Sequence, residues 1–160
     1  MSYVVAIDVG IKNLGLCVFD FNSNKVVEWE NVTLVPSGRY TPSNNVKYVH
    51  DFVKRYEHYF ERAFQVVIER QIRCNMRIVE AIIQSLFYDR CVIISARSVK
   101  LHYDLSTKNY RANKQKAVQW AKQFIERNPS AFAEEYTVRA FMNSKKQDDL
   151  ADSLLLVMYY

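Results

Sequence analysis

The sequence predicts an α/β fold in which a mixed five-stranded sheet carries helices on both faces. Three short apolar runs joined by tight turns near the N-terminus predict an antiparallel meander. Two later apolar runs are separated by amphipathic helices, and strands linked in this way pair in parallel through crossover connections. The chain has 160 residues, of which 49% are apolar. This length and composition fit one domain over residues 1–160 with a sizeable core.

The first half of the chain supplies most of the predicted sheet. Strands are expected at three places: residues 4–8, 14–21 and 25–34. Residues 9–13 form a turn between the first two strands, and residues 36–45 are rich in Pro, Ser, Gly and Asn, which predicts a loop. Apolar residues then recur at three- and four-residue steps over residues 46–63, which predicts one amphipathic helix.

The second half of the chain alternates strands and helices. We expect strands at 65–69 and 91–95, and helices at 76–87, 117–125 and 147–160. Residues 97–113 are polar and aromatic and are interpreted as a loop. Ser130 is expected to cap a further short helix that has Glu134 near its first turn. The final helix is apolar on most of its faces, which indicates that it is buried.

The charge and the cysteine content limit the class of protein. The chain has 22 Lys and Arg against 17 Asp and Glu, a net charge of +5 that is compatible with nucleic-acid binding. Cys17, Cys74 and Cys91 form no CxxC motif and show no zinc-ligand spacing with the histidines, so they are interpreted as buried, reduced thiols. No signal peptide is apparent, and the longest apolar run, residues 154–160, is far shorter than the ~20 residues of a membrane span. We therefore expect a soluble, intracellular protein with no membrane partner and no small-molecule cofactor.

Four separated carboxylates are the most informative feature of the chain, because each lies at the end of an apolar run. Asp8 and Glu69 end two predicted strands, and they lie side by side if those strands are parallel neighbours. Asp149 and Asp152 are three residues apart at the start of the final helix, so they share one face of it. Such a cluster repels itself and raises its own pKa values unless a cation neutralises it.

The ion that this set of acids favours is Mg²⁺, which prefers carboxylate oxygens together with waters and substrate phosphates. Two such ions can activate a water and stabilise the leaving oxygen of a phosphodiester. Mn²⁺ accepts the same ligands. In a net-basic protein, the four acids therefore predict metal-dependent chemistry on a phosphate backbone.

Basic residues are concentrated in the second half of the chain. Residues 97–116 contain one acid, Asp104, and six basic residues: Arg97, Lys100, Lys108, Arg111, Lys114 and Lys116. Tyr103 and Tyr110 interleave with them. This composition is typical of a surface that tracks a nucleic-acid backbone and stacks on bases. A solvated loop and helix start would show the same residues, and this alternative stays open.

A second group of basic residues lies close to the predicted carboxylate site. Lys12 follows the first strand and is placed to reach a phosphate. Three arginines that follow Glu69 are interpreted as DNA contacts at the rim of the site: Arg70, Arg73 and Arg77. Ordinary surface charge is again the alternative.

Four segments of the sequence resemble one known family. They are Val-Ala-Ile-Asp-Val-Gly at 5–10, Val-Ile-Glu-Arg-Gln at 67–71, Ala-Arg-Ser-Val-Lys at 96–100 and Asp-Asp-Leu-Ala-Asp-Ser-Leu at 148–154. In this order they resemble the RuvC-type Holliday junction resolvases. The Ile-Lys-Asn turn after the first segment is most similar to the branch found in poxviruses and other large DNA viruses. The similarity runs from residue 3 to the C-terminus.

The resemblance implies a fold, an activity and an assembly. The fold is ribonuclease H-like, with strands 1–3 antiparallel and strands 4 and 5 parallel to strand 1. The activity is Holliday junction resolution by a homodimer, which places symmetric nicks in four-way DNA junctions with two Mg²⁺ per active site. This activity serves DNA recombination and repair, including resolution of viral DNA concatemers. A viral protein of this kind would act in the host cytoplasm or at the site of virus replication.

The resemblance also assigns roles to individual residues. The family's metal ligands correspond to Asp8, Glu69, Asp149 and Asp152, and its basic residues near the site correspond to Lys100 and Lys114. Asp148 adds an acid, and a 148/152 pair is also geometrically possible, but the Asp-x-x-Asp-Ser-Leu pattern favours Asp149 with Asp152. Ile72 departs from the bacterial members, which have an aromatic residue available for base stacking at that position.

Two other functions remain open at this stage. The first is a ribonuclease H-like or rRNA-processing nuclease that acts on RNA or an RNA–DNA hybrid with the same acids. The second is a catalytically silent module that binds junctions through its basic face alone. The second would need no metal, and the intact set of four acids argues against it.

Overall fold

The five strands of the sheet lie where the apolar runs predict them, with the order β3-β2-β1-β4-β5. A computed structural model describes residues 2–160. The strands are β1 (Tyr3–Asp8), β2 (Leu14–Asp20), β3 (Lys25–Val32), β4 (Ala63–Glu69) and β5 (Cys91–Ile94). β1 and β2 pair antiparallel, as do β2 and β3, whereas β4 runs parallel to both β1 and β5. The predicted mixed sheet is confirmed.

In the described part of the chain, residues 2–160, seven helices cover the two faces of this sheet. They are α1 (Asn45–Arg55), α2 (Glu57–Glu61), α3 (Cys74–Leu86), α4 (Ala96–His102), α5 (Tyr110–Arg127), α6 (Glu135–Asn143) and α7 (Gln147–Tyr159). Short 3-10 turns at Pro42–Asn44 and Pro129–Ala131 precede α1 and α6. Within residues 2–160, none of the helices combines the length and the apolar character that crossing a membrane requires.

Two predicted elements are wrong. The helix expected over residues 46–63 is two helices that break at Tyr56, whose hydroxyl donates a hydrogen bond to Glu30 Oε2 at 2.6 Å. The segment 97–113 is not one loop, since it contains α4 and the start of α5, where the Asn109 side chain accepts a hydrogen bond from the Ala112 backbone N–H. Short helices with mixed polar faces carry little periodic signal, so the sequence pattern misses them.

Two smaller expectations also fail. Ser130 caps no α-helix, because it lies within a 3-10 turn and α6 begins five residues later at Glu135. Of the three cysteines, only Cys17 is buried. Cys91 is half-buried and Cys74 is exposed, although all three are free thiols as expected.

The alternation of side chains along β1 divides the core into two layers. Val5 and Ile7 pack with α1 and α3 on one side of the sheet, in a cluster that includes Phe52 and Ile83. Val4 and Ala6 face the other side. There the core is built largely by α7, with contributions from α4, α5 and α6. Helices therefore lie on both faces, as predicted.

The N-terminal half of α7 packs directly on β2 at Gly15. A β-carbon at this position would lie 2.4 Å from the backbone oxygen of Asp149, so only glycine allows the helix to approach this closely. Next to this contact, the buried indole of Trp29 donates a hydrogen bond to the Leu150 backbone oxygen at 2.9 Å. These two contacts fix the start of α7 at the end of β1.

Candidate active site

Two of the predicted acids end neighbouring parallel strands. Ile7 of β1 pairs with Ile68 of β4, so the residues that follow, Asp8 and Glu69, lie next to each other at the carboxyl edge of the sheet. Side chains alternate between the two faces of a strand, and Ala6 and Val67 lie in the core layer that α7 covers. Asp8 and Glu69 each lie two residues further along their strands, so their side chains belong to the same face. The carboxyl edge of parallel strands is where functional groups gather in α/β folds.

α7 supplies the other two acids of the site. Asp149 and Asp152 lie within its first two turns, three residues apart, and Asp152 is only 7% exposed. Gly15, which pairs with Asp8 across β1 and β2, sits directly under this part of the helix. The close packing at Gly15 therefore brings the start of α7 to the end of β1.

One pocket contains the whole predicted catalytic set. It has a volume of about 650 Å³, and its lining includes the six residues that the sequence and the family resemblance select: Asp8, Glu69, Lys100, Lys114, Asp149 and Asp152. These residues come from β1, β4, α4, α5 and α7. Five separate elements thus converge on a single cavity.

Lys100 lies among the acids as a buried counter-charge. Its Nζ atom is 3.3 Å from Asp152 Oδ1, and the two side chains are only 13% and 8% exposed. Burial alone would lower the pKa of Lys100, but the carboxylates of Asp152 and Glu69 raise it, so the side chain stays an ammonium. Lys100 therefore offsets part of the negative charge of the pocket.

Burial raises the pKa of each acid in the pocket. Burial and the charge of Glu69 place the pKa of Asp8 well above its usual range. Burial and the charge of Asp152 raise the pKa of Glu69 to about 7. Burial likewise raises the pKa of Asp149 to about 6 and that of Asp152 above its usual value. The site therefore favours either protonated acids or a bound cation.

Asp148 lies on a neighbouring surface, although its charge still raises the pKa of Asp149. It does not line the pocket, and its carboxylate accepts a hydrogen bond from Lys114 Nζ. Although burial alone would raise the pKa of Asp148, the hydrogen bond and the charge of Lys114 hold it below its usual value. Of the two possible pairs in the final helix, the structure places Asp149 with Asp152 in the pocket, and Asp148 instead contacts a lysine of the site.

The donor set of the pocket fits a hard divalent cation. All four acids supply oxygen ligands. Asp152 Oδ1 is buried without a hydrogen-bond donor, because Lys100 approaches it at ion-pair distance but outside hydrogen-bond geometry. Among residues 2–160, however, no three Asp, Glu, His or Cys side chains are already arranged to hold an ion. Since like charges spread apart without a cation, side-chain rotation within the pocket is required to close the ligand set.

The predicted DNA-binding residues divide into two groups. Lys12, Arg70 and Arg73 are exposed and line the mouth of the pocket. Five others are exposed but lie outside it: Arg77, Arg97, Lys108, Arg111 and Lys116. Lys116 follows Lys114 by two positions on α5, so it projects from the opposite flank of that helix.

Tyr40 and Lys146 are among the pocket-lining residues that sequence reasoning missed. Tyr40 reaches it from the loop before α1, where its hydroxyl donates a hydrogen bond to Asn45 Oδ1 at 2.9 Å. Lys146 reaches it from the residue before α7. The two adjacent lysines before the Asp pair were a usable signal for Lys146. A tyrosine in a polar loop carried no such signal.

The loop between β4 and α3 presents an apolar side chain at the pocket mouth. Ile72 is 92% exposed and lines the pocket between Arg70 and Arg73. The loop is held by backbone hydrogen bonds, from Arg70 N–H to the Ile94 oxygen at 2.8 Å and from Gln71 N–H to Glu80 Oε2 at 2.6 Å. The exposed position of Ile72 is therefore fixed by its neighbours.

Solved structures with similar folds come from three kinds of organism. The yeast mitochondrial Holliday junction resolvase matches with a TM-score of 0.74 and 21% identity, over 96% of this chain and 76% of that one. Fowlpox virus resolvase, in complex with substrate Holliday junction DNA, matches with a TM-score of 0.70 and 20% identity, over 98% and 95%. Thermus thermophilus RuvC in complex with a Holliday junction substrate matches with a TM-score of 0.60 and 17% identity, over 98% and 90%.

These likenesses establish the fold as RuvC-like and ribonuclease H-like, in agreement with the order and direction of the strands. A comparison with curated protein sequences gave no significant match. The family model described as Poxvirus A22 protein matches residues 2–160, which is the part of the chain that contains every acid and lysine of the pocket. The chain therefore belongs to the poxvirus A22 protein family.

Proposed function

We propose that this protein is a Holliday junction resolving endonuclease that hydrolyses phosphodiesters with the help of two divalent metal ions. The observation that carries the proposal is the pocket in which Asp8, Glu69, Asp149 and Asp152 meet, although they come from three distant parts of the chain. Family membership supports it, as do three similar folds whose proteins are described as Holliday junction resolvases or as RuvC bound to a Holliday junction. Mg²⁺ is the proposed ion, and Mn²⁺ accepts the same oxygen ligands.

Each residue of the pocket has a role in this proposal. Asp8, Glu69, Asp149 and Asp152 would hold the ions, and an ion bound to Asp152 Oδ1 would share that buried oxygen with Lys100. The ions, when bound, activate a water and stabilise the leaving oxygen. Lys100 balances the charge of the acids and limits their mutual repulsion.

The exposed residues around the pocket suit a branched DNA substrate. Lys12, Arg70 and Arg73 surround its mouth and can contact phosphates on either side of the cut. Lys114, with 29% of its side chain exposed, lies between the acids and solvent, where it can contact the phosphate under attack. We propose that a homodimer presents two such pockets, because a junction with twofold symmetry is matched by an assembly with the same symmetry.

A cleavage assay on a synthetic four-way junction tests the proposal. With Mg²⁺, the protein should place symmetric nicks that leave 5′-phosphate and 3′-hydroxyl ends, and should leave linear duplex intact. Asp8→Asn and Glu69→Gln should each abolish cleavage while still binding the junction. Full cleavage by either variant would refute the assignment of the site.

Two outcomes in the same assay identify the alternative functions. Faster cleavage of an RNA–DNA hybrid than of the junction would identify a ribonuclease H-like activity instead. Junction binding without strand breaks under any divalent ion would identify a binding module. Sedimentation of the protein alone and of its junction complex tests the proposed homodimer.

A further inference from the structure

A second concave surface adjoins the active-site pocket on the far side of Lys114. It has a volume of about 420 Å³ and lies between α5 and the segment that leads into α7. We refer to it as the α5–α7 groove. Its polar lining apart from Asp148 is Lys114, Gln115, Gln119, Lys122, Lys145 and Gln147.

The charge of the α5–α7 groove is positive and largely uncompensated. Asp148 is its only acid, and it is already paired with Lys114. No ion pair involves Lys122 or Lys145 within residues 2–160. Two free ammonium groups therefore remain on a surface whose other polar groups are mostly neutral amides.

The combination of lysines and glutamines is suited to a sugar–phosphate backbone. Lysines attract the phosphate charge, and glutamine amides donate hydrogen bonds to phosphate oxygens without adding charge. More than half of the exposed lining is apolar, because Val118 and the methylene stems of the lysines and glutamines contribute to it, but no lining residue offers an aromatic ring on which a base could stack. The groove therefore favours backbone contacts over base contacts.

The position of Lys114 makes the α5–α7 groove continuous with the active site. This residue lines both cavities. From Lys114 to Lys122 the helix advances by about 12 Å, at 1.5 Å per residue. Along the axis of a duplex a DNA strand advances by 3.4 Å per nucleotide, so this side of α5 can lie against about four nucleotides where it runs along that axis.

We infer that the α5–α7 groove binds the phosphodiester backbone of the DNA arm that leaves the active site, with Lys122 and Lys145 as its phosphate contacts. The inference rests on the proposed nuclease function. It places part of the DNA along a surface that contains none of the residues predicted from sequence to bind DNA. Those residues lie at the mouth of the pocket or on other surfaces, and Lys116 lies on the opposite flank of α5. The groove extends the contact with DNA beyond the nucleotides at the cut.

The test is a pair of charge-matched double variants in a junction-binding assay with Ca²⁺ in place of Mg²⁺. Lys122→Gln with Lys145→Gln removes two charges from the groove. Lys25→Gln with Lys54→Gln removes two charges elsewhere, because Lys25 is at the opposite end of the sheet from Asp8 and Lys54 is exposed on α1.

The groove variant should weaken junction affinity about tenfold near physiological salt. It should also lower the salt slope, which is the slope of log affinity against log salt concentration, by about two, since each phosphate contact contributes about one to that slope. The control variant should change neither quantity.

Two additional measurements distinguish a direct contact from a folding defect. Lys122→Arg with Lys145→Arg keeps both charges and should restore the affinity and the salt slope. Neutral methylphosphonates placed within about four nucleotides of the cut should weaken binding by the wild-type protein and have little further effect on the glutamine variant. Equal affinities and salt slopes for the groove and control variants would overturn the inference. A wild-type protein that neither binds nor cuts the junction would instead overturn the proposed function.

Discussion

Lys114 donates a hydrogen bond to Asp148, and this pair stands at the boundary between the active-site pocket and the α5–α7 groove. Asp148 lies outside the active-site pocket, whereas its neighbour in sequence, Asp149, lines that pocket together with Asp152. Two adjacent aspartates on one helix therefore have different surroundings. Their substitution should have different consequences.

We expect Asp149→Asn to lower single-turnover junction cleavage by roughly 10²- to 10³-fold, because it removes a charged group that faces the reacting phosphate. Asp148→Asn should lower it only about tenfold, as expected for a residue that acts through a neighbour. Asp148→Glu should recover most of that smaller loss by renewing the contact with Lys114. A larger loss for Asp148→Asn than for Asp149→Asn would show that the 148/152 pair is the functional one.

Lys100→Met should destabilise the metal-free protein by about 3 kcal/mol, because it leaves the buried Asp152 carboxylate without its cation. Added Mg²⁺ should recover part of this loss by supplying a positive charge to the same acids. Urea denaturation with EDTA and with Mg²⁺ measures both quantities. Lys108→Met, at an exposed position in the loop before α5, is the control and should change the free energy of unfolding by less than about 0.5 kcal/mol.

The raised pKa of Glu69 predicts a pH-dependent stability in the absence of metal. Because the folded protein holds this proton up to about pH 7 and the unfolded chain releases it near the ordinary value of 4.5, the free energy of unfolding should fall as pH rises from 4.5 to 7. Glu69 contributes about 3 kcal/mol of this fall at most, and the raised pKa values of Asp8, Asp149 and Asp152 add to it. Thermal unfolding with EDTA should show this fall for the wild type and a smaller one for Glu69→Gln. Identical profiles would contradict the prediction.

Gly15→Ala should destabilise the protein by about 1–3 kcal/mol, because the added carbon would overlap the backbone of α7 at Asp149. Displacement of α7 also moves two acids of the pocket, so cleavage per folded molecule should fall as well.

Gly38→Ala is a suitable control for the Gly15→Ala variant. Its surroundings are open, and its positive φ of 78° costs only about 1 kcal/mol when alanine replaces glycine. Equal activity of the two variants would show that the contact at Gly15 does not position the site.

The sequence predicted those parts of the fold that have a strong local pattern. The five strands and the buried final helix followed from apolar runs, and the strand directions followed from the connections between them. α4 and the break at Tyr56 did not, because Lys100 of α4 pairs with the distant Asp152 and Tyr56 with the distant Glu30. Tertiary contacts of this kind leave no periodic signal in the segment itself.

The candidate site was predictable to a similar degree. Strand ends and helix starts indicated the four acids, and the family resemblance added Lys100 and Lys114. The different orientations of Asp148 and Asp149 were not predictable, since both residues lie in the first turn of one helix and differ only in what packs next to them. Tyr40 was missed because its position depends on the path of a whole loop.

The hydrogen bond between Trp29 and the Leu150 backbone places an indole ring one residue away from an acid of the pocket. This ring is buried between Phe132 and Phe141, with which it stacks. Detachment of the last helix would expose it to water and shift its fluorescence to longer wavelength. Once the second tryptophan, Trp120, is replaced by phenylalanine, the emission spectrum carries an optical signal for whether the active-site pocket is assembled, readable in solution before any DNA is added.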